Sequence, residues 1–77
     1  MGRKPKHEEE AIANRLETVR TKAGVSRQQL ADAVGVHYQT IGYIERGEYS
    51  PSLVLALKMA KALNTKVEKI FSIEGDN

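Results

Sequence analysis

The side chains best suited to chemistry in this sequence are polar residues on one side of a short predicted helix. Helical spacing brings Tyr38, Gln39 and Tyr43 together, alongside Gly42 and opposite Ile41. A glutamine amide both donates and accepts hydrogen bonds, which matches the N6 and N7 atoms of adenine in the major groove of DNA. Tyrosine hydroxyls can donate to phosphate oxygens, and tyrosine rings can contact thymine methyl groups. The group therefore has the chemistry to contact both base edges and phosphates of DNA.

Residues suited to catalysis or metal binding do not form a recognisable set. The sequence of 77 residues has no cysteine, and its two histidines, His7 and His37, lack spaced carboxylate partners. No glycine-rich loop follows a predicted strand. We therefore expect no enzyme activity, no metal site and no cofactor, and nothing in the sequence implies a small-molecule ligand.

The composition indicates one small folded domain. The hydrophobic fraction is 40% and the charged fraction is 29%, both typical of a folded chain. The lack of cysteine rules out disulfides and suits a cytoplasmic protein. No apolar run approaches the ~20 residues that span a bilayer, and no apolar segment follows the basic start. We therefore expect neither membrane association nor a secretory signal.

The charges suggest three parts of the chain. Residues 1–7 form a flexible arm that contains Arg3, Lys4 and Lys6, residues 8–73 form the domain, and residues 74–77 form a short tail. The net charge of +2 is by itself weak support for a nucleic-acid partner. The arm can equally be a solvated tail.

The first predicted helix begins at Glu8, where three successive glutamates complement the positive end of the helix dipole. Its apolar residues recur four, three and four positions apart: Ile12, Leu16, Val19 and Ala23. Gly24 is expected to end it in the left-handed conformation.

Two further helices follow in close succession. Ser26 and Gln29 have the spacing of a capping box, so the second helix should begin at Ser26. Gly35 should end it after little more than two turns. The third helix is then predicted from about His37 to Arg46.

The last two predicted helices complete an all-α, compact five-helix bundle. Ser52 should cap the fourth helix, whose first turns are apolar on nearly all sides and therefore predict a central position. Asn64 should end this helix, because asparagine tolerates the left-handed conformation. Thr65 and Glu68 have the spacing of a second capping box for a short fifth helix.

Residues 27–46 fit a helix-turn-helix. Apolar and small residues occupy the positions where two short helices joined by a tight turn need them: Leu30, Ala31, Val34, Gly35, Val36, Ile41 and Ile44. The residues at 25–31, 35–36 and 40–47 resemble those of the Cro/CI-type (XRE) family of regulators. The resemblance implies the fold of this family, the lambda repressor-like DNA-binding domain. Residues 51–53 and 57–71 look like its compact dimeric members, including the cytolysin repressor type.

The resemblance implies roles for individual residues. Tyr38, Gln39, Gly42 and Tyr43 match the positions of base-reading side chains. Arg20 and Glu45 match an ion pair that ties the first helix to the end of the third. The remaining implied contacts are with phosphates: Arg27, Gln28, His37, Thr40, Arg46, Tyr49 and Ser52.

Two positions depart from the family pattern. Gly42 stands where polar or larger side chains are common, and glycine within a helix is less favourable than alanine by ~1 kcal/mol. One interpretation is that the missing side chain lets the backbone approach DNA closely or leaves room for a base methyl group. The other is that Gly42 has no role. His37 replaces a small capping residue, and it either contacts phosphate or is ordinary surface.

The end of the chain suggests how two copies could associate. Helix five of so small a domain is hard to cover on both sides. Ile70, Phe71 and Ile73 therefore either belong to the core or form a two-fold interface, to which Leu55 and Met59 would contribute, and we favour the interface.

The sequence thus predicts a transcriptional regulator, with a repressor favoured, that binds a palindromic double-stranded DNA operator as a homodimer. The alternative is a protein-interaction module of the same fold, such as an antitoxin that binds a toxin. A basic rim around residues 38–43 would favour DNA, whereas an exposed apolar groove away from the third helix would favour a protein partner.

Overall fold

The computed structural model describes residues 12–73. Within this range it contains five helices and a two-stranded sheet, which confirms the predicted helical class and adds the sheet. In chain order the elements are β1 (Ile12–Asn14), α1 (Leu16–Lys22), α2 (Arg27–Val34), α3 (Tyr38–Glu45), α4 (Leu53–Ala62), α5 (Val67–Ile70) and β2 (Phe71–Ile73). None of the helices in this range has the length and apolar character needed to cross a bilayer.

The start of the domain differs from the sequence prediction. Residues 12–14 form β1, which pairs antiparallel with β2 so that Ile12 lies opposite Ile73. The backbone N–H of Arg15 then donates to the carbonyl of Ile70 at 2.8 Å. Helix α1 therefore begins at Leu16, and the predicted start at Glu8 lies outside the described residues. Hydrogen bonds to a distant segment have overridden the helical spacing of Ile12.

The capping residues predicted for α2 and α4 are confirmed. Ser26 and Gln29 form the expected capping box at α2, and the Ser52 hydroxyl accepts a hydrogen bond from the N–H of Leu55 at α4. The prediction of a second capping box, at Thr65 and Glu68, was wrong. Helix α5 has Lys66 at its cap position, and no side chain from the described residues caps it.

The turn between α2 and α3 depends on Gly35, whose φ of 80° is in the left-handed region. Its N–H closes the end of α2 by donating to the carbonyl of Ala31 at 2.8 Å. Asn64 has a φ of 55°, as expected for the residue that ends α4.

The core joins all the helices, and α2 packs against both α3 and α4. Its buried members are Leu16, Leu30, Ala31, Val34, Ile41, Ile44, Met59, Ala60, Leu63 and Ile70. Ile70 and Met59 are fully buried within one chain, so the prediction that they contribute to an interface was wrong.

Helix α4 is less central than its apolar sequence predicted. Ala56, Met59 and Ala60 are buried, but Leu53 is 72% exposed and Leu57 is 50% exposed. One chain therefore covers a single side of this helix. The uncovered apolar side is the kind of surface that marks an interaction site.

Candidate nucleic-acid interface

Helix α3 presents a polar side to solvent and an apolar side to the core. Tyr38 is 47% exposed, Tyr43 is 45% exposed, and Gln39 is also exposed. Ile41 and Ile44, on the opposite side, are fully buried. The polar side chains expected to act together therefore do lie together on the outside of the domain.

A buried carboxylate fixes the C-terminal end of α3. The Glu45 side chain is 1% exposed and forms the expected ion pair with Arg20. Arg20 also donates from Nη1 to the carbonyl of Val25 at 3.0 Å, which ties α1 and the start of α2 to the same point. A second guanidinium, not anticipated from the sequence, reaches this carboxylate, because Nε of Arg27 donates to Oε1 of Glu45 at 2.9 Å.

Asn14 is a further positioning residue that sequence reasoning missed. Its side-chain amide donates to the carbonyl of Ile44 near the end of α3. Its Oδ1 accepts from the N–H of Leu16 at 3.0 Å, at the start of α1. The bond to Ile44 joins residues 30 positions apart in sequence. No local pattern signals such a pairing.

Two guanidinium groups converge above Gly42. A Cβ atom built on this residue would lie 3.2 Å from Nη1 of Arg46 and 3.6 Å from Nη1 of Arg27. Gly42 is buried beneath them. In the absence of DNA, arginine side chains occupy the space above Gly42.

The surroundings of Gly42 form a shallow depression of ≈ 210 Å³. Its lining joins the two arginines to the expected base-reading residues: Arg27, Tyr38, Gln39, Gly42, Tyr43 and Arg46. Arg46 lies over the ring of Tyr43, with its Cζ atom 5.2 Å from the ring centre. Nε of Arg46 is also 3.2 Å from a carboxylate oxygen of the exposed Glu48.

The other expected phosphate ligands divide into two groups. Thr40 and Tyr49 line a groove beside Tyr43, and Tyr49 is 51% exposed. His37 is exposed and stacks on Tyr38 with ring centres 5.8 Å apart. These three residues are accessible to a ligand on the α3 side.

Gln28 and Ser52 already have partners within the chain. The Gln28 amide donates to Asp32 at 2.9 Å, and the Ser52 hydroxyl accepts the capping bond of α4. Either residue can still contact phosphate through its remaining hydrogen-bonding capacity.

The charge around α3 favours an anionic ligand. Arg20 and Arg27 share the single carboxylate of Glu45, which leaves an excess positive charge at the edge of the depression. Arg46 adds a second guanidinium there, partly offset by Glu48. Among residues 12–73 no three His, Asp or Glu side chains come together in a way that could hold a metal ion.

A short outward-facing helix, held by a tight turn and bordered by guanidinium groups, defines a helix-turn-helix DNA-binding domain. The helix-turn-helix family HTH_3 matches residues 16–70. The chain belongs to this family, and its XRE-type character confirms the resemblance seen in the sequence. Members are DNA-binding transcriptional regulators and not enzymes.

Individual relatives agree with this assignment. The chain is 44% identical over 66 residues to the uncharacterised HTH-type transcriptional regulator YgzD of Bacillus subtilis, covering 86% of this chain and 100% of the relative. The restriction-modification controller protein C.AhdI of Aeromonas hydrophila has a similar structure, with a TM-score of 0.68 and 38% identity over 71% of this chain and 83% of that one. SinR, a master regulator for biofilm formation solved in complex with DNA, has a TM-score of 0.65 and 29% identity over 70% of this chain and 87% of that one.

Proposed function

We propose that this protein is a repressor that binds a palindromic operator as a homodimer, with α3 of each subunit in one of two successive major grooves. The observation that carries the proposal is the exposure of Tyr38, Gln39 and Tyr43 on one side of α3. The major groove is wide enough to admit an α-helix, and only there does each base pair present a distinct pattern of donors and acceptors. The two half-sites would lie ~34 Å apart.

The proposed contacts fall into two classes. Gln39 and the tyrosines of α3 read base edges, because they occupy the middle of the exposed face. The proposed phosphate contacts lie around that face: Arg27, Thr40 and Tyr49 line depressions beside it, and His37 stacks on Tyr38. Phosphate contacts supply affinity without selecting sequence, so binding should weaken steeply as salt rises.

The exposed apolar side of α4 supports the homodimer. Leu53, Val54 and Leu57 are all at least half exposed in one chain. A neighbouring apolar groove of ≈ 670 Å³ continues this surface to β1 and β2, where Ile12 and Phe71 line it. We therefore assign the two-fold interface to the start of α4 together with Phe71 and Ile73, and not to the buried Ile70. A second copy is the occupant that a palindromic operator requires.

The same groove favours the alternative function. It lies away from α3, which is where a module that binds another protein would carry an apolar surface. The two functions predict different oligomeric states in solution. A homodimer covers this surface without any other chain, whereas a protein-interaction module remains monomeric until its partner is added.

The deciding experiment combines selection of random duplexes with sedimentation of the purified full chain. We expect a palindromic consensus, a dimer at micromolar concentration, and two subunits on each selected duplex. An operator placed over a promoter should then lower transcription from a reporter, because a bound dimer excludes polymerase. A monomer that enriches no duplex would contradict the proposal and favour the protein-interaction module.

A further inference from the structure

Gly42 is an unfavourable residue for its position. It lies inside α3, in right-handed helical backbone, so the left-handed freedom of glycine is not used there. Glycine within a helix is less stable than alanine, because its unfolded chain has more freedom to lose. The helix itself therefore gains no stability from the missing side chain.

The space above Gly42 is used by arginine. Nη1 of Arg46 and Nη1 of Arg27 both lie within 4 Å of the point that a Cβ atom would occupy. The contact with Arg46 is the tighter one, at 3.2 Å, and a real methyl group there would push this guanidinium outward. Gly42 thus leaves room for the end of the Arg46 side chain beside the helix.

Each guanidinium contacts a carboxylate through its Nε atom, and both line the same depression. Nε of Arg27 is bound by Glu45 at 2.9 Å, and Nε of Arg46 is bound by Glu48 at 3.2 Å. The ring of Tyr43 supports Arg46 from one side. The terminal Nη groups of Arg46 therefore remain available within the depression that Gln39 also lines.

We propose that Arg46 reads a guanine in each half-site and that Gly42 is the positioning residue that makes this possible, an inference that rests on the proposed binding of α3 in the major groove. Guanine presents two acceptors there, O6 and N7, and a guanidinium offers two donors at matching separation. The backbone of Arg46 caps the C-terminal end of α3, but its guanidinium reaches back to Gly42 and lines the same depression as the base-reading candidate Gln39. Arg46 thus determines specificity and is not a phosphate ligand. Arg27, held by Glu45, supplies the phosphate contact beside it.

The test uses the selected operator with modified bases at each guanine. Replacing the critical guanine by 7-deazaguanine removes N7, and we expect it to weaken binding of the unaltered protein about ten-fold. Inosine is the matched control, since it keeps O6 and N7 and lacks only the minor-groove amino group. Arg46→Ala removes both donors, so its affinity for the operator should be lower and insensitive to 7-deazaguanine.

Gly42→Ala separates a positioning role from a purely structural one. We expect the thermal midpoint to rise by roughly 4–8 °C, because alanine favours the helix. Affinity for the operator should nevertheless fall about ten-fold, and by a larger factor than affinity for random DNA. Unchanged operator affinity in this variant would overturn the role of Gly42.

The remaining outcomes distinguish a failure of the guanine contact from a failure of DNA binding. A consensus without guanine in each half-site would overturn the base contact while leaving DNA binding intact. An Arg46→Ala variant that responds to 7-deazaguanine as the unaltered protein does would overturn it as well. Failure of the unaltered protein to select any sequence would instead contradict the proposed function itself.

Discussion

Replacing Glu45 by glutamine tests how the recognition helix is held. The carboxylate is 1% exposed and neutralises Arg20, whose side chain is 9% exposed, as well as the more exposed Arg27. Removing one partner of a buried ion pair leaves the other charge uncompensated and costs ~3–5 kcal/mol. The amide oxygen of glutamine can still accept one hydrogen bond, so we expect the lower end of this range.

A loss of ~3 kcal/mol is large for a domain of this size. Unfolding free energies are of order 0.05–0.15 kcal/mol per residue, and each kcal/mol shifts the thermal midpoint of a small domain by ~4–8 °C. The midpoint of Glu45→Gln should therefore fall by roughly 12–24 °C. Thermal unfolding followed by circular dichroism at the helical band measures this directly, and urea titration should show a lower midpoint.

Glu48→Gln is the matched control. It makes the same substitution opposite another arginine, but the Glu48 side chain is 56% exposed and that of Arg46 is 48% exposed. Exposed pairs contribute ~0–1 kcal/mol, so the thermal midpoint should barely move. Equal shifts for the two variants would refute the argument that burial of Glu45 makes it the anchor of α3.

Three further predictions concern DNA, assembly and the link to α1. Gln39→Ala should relax base preference at one position of the selected sequence, whereas Arg27→Ala should weaken all duplexes alike and lower the slope of log K against log salt by ~0.9. Leu57→Glu should yield a folded monomer by sedimentation, and Lys58→Glu, the neighbouring control, should remain dimeric. Asn14→Ala removes the hydrogen bonds to the carbonyl of Ile44 and the N–H of Leu16, and should reduce unfolding free energy by ~1–3 kcal/mol in urea titration.

The helix-turn-helix was predictable because its determinants are local. The capping box at Ser26 and Gln29, and the turn at Gly35, each depend on residues within four positions of one another. The amphipathic pattern of α3 likewise identifies its buried and exposed sides without reference to the rest of the chain. The same local reasoning predicted that Asn64 would end α4.

The first helix shows where local reasoning fails. Ile12 has the correct spacing for the helix, yet it lies opposite Ile73 in a strand pair. The side chain of Arg15 adds hydrogen bonds to the carbonyls of Lys69 and Glu68, both at 3.1 Å. These partners are more than 50 positions away in sequence, so no window of neighbouring residues contains the information.

By itself the sequence determined the family, the two helices of the DNA-binding motif and the polar character of α3, because helical periodicity and capping act over a few residues. Only the tertiary structure decided that Arg27 shares the carboxylate of Glu45, that guanidinium groups fill the space above Gly42, and that one side of α4 stays uncovered. The physical reason is that burial and charge pairing depend on which distant segments meet.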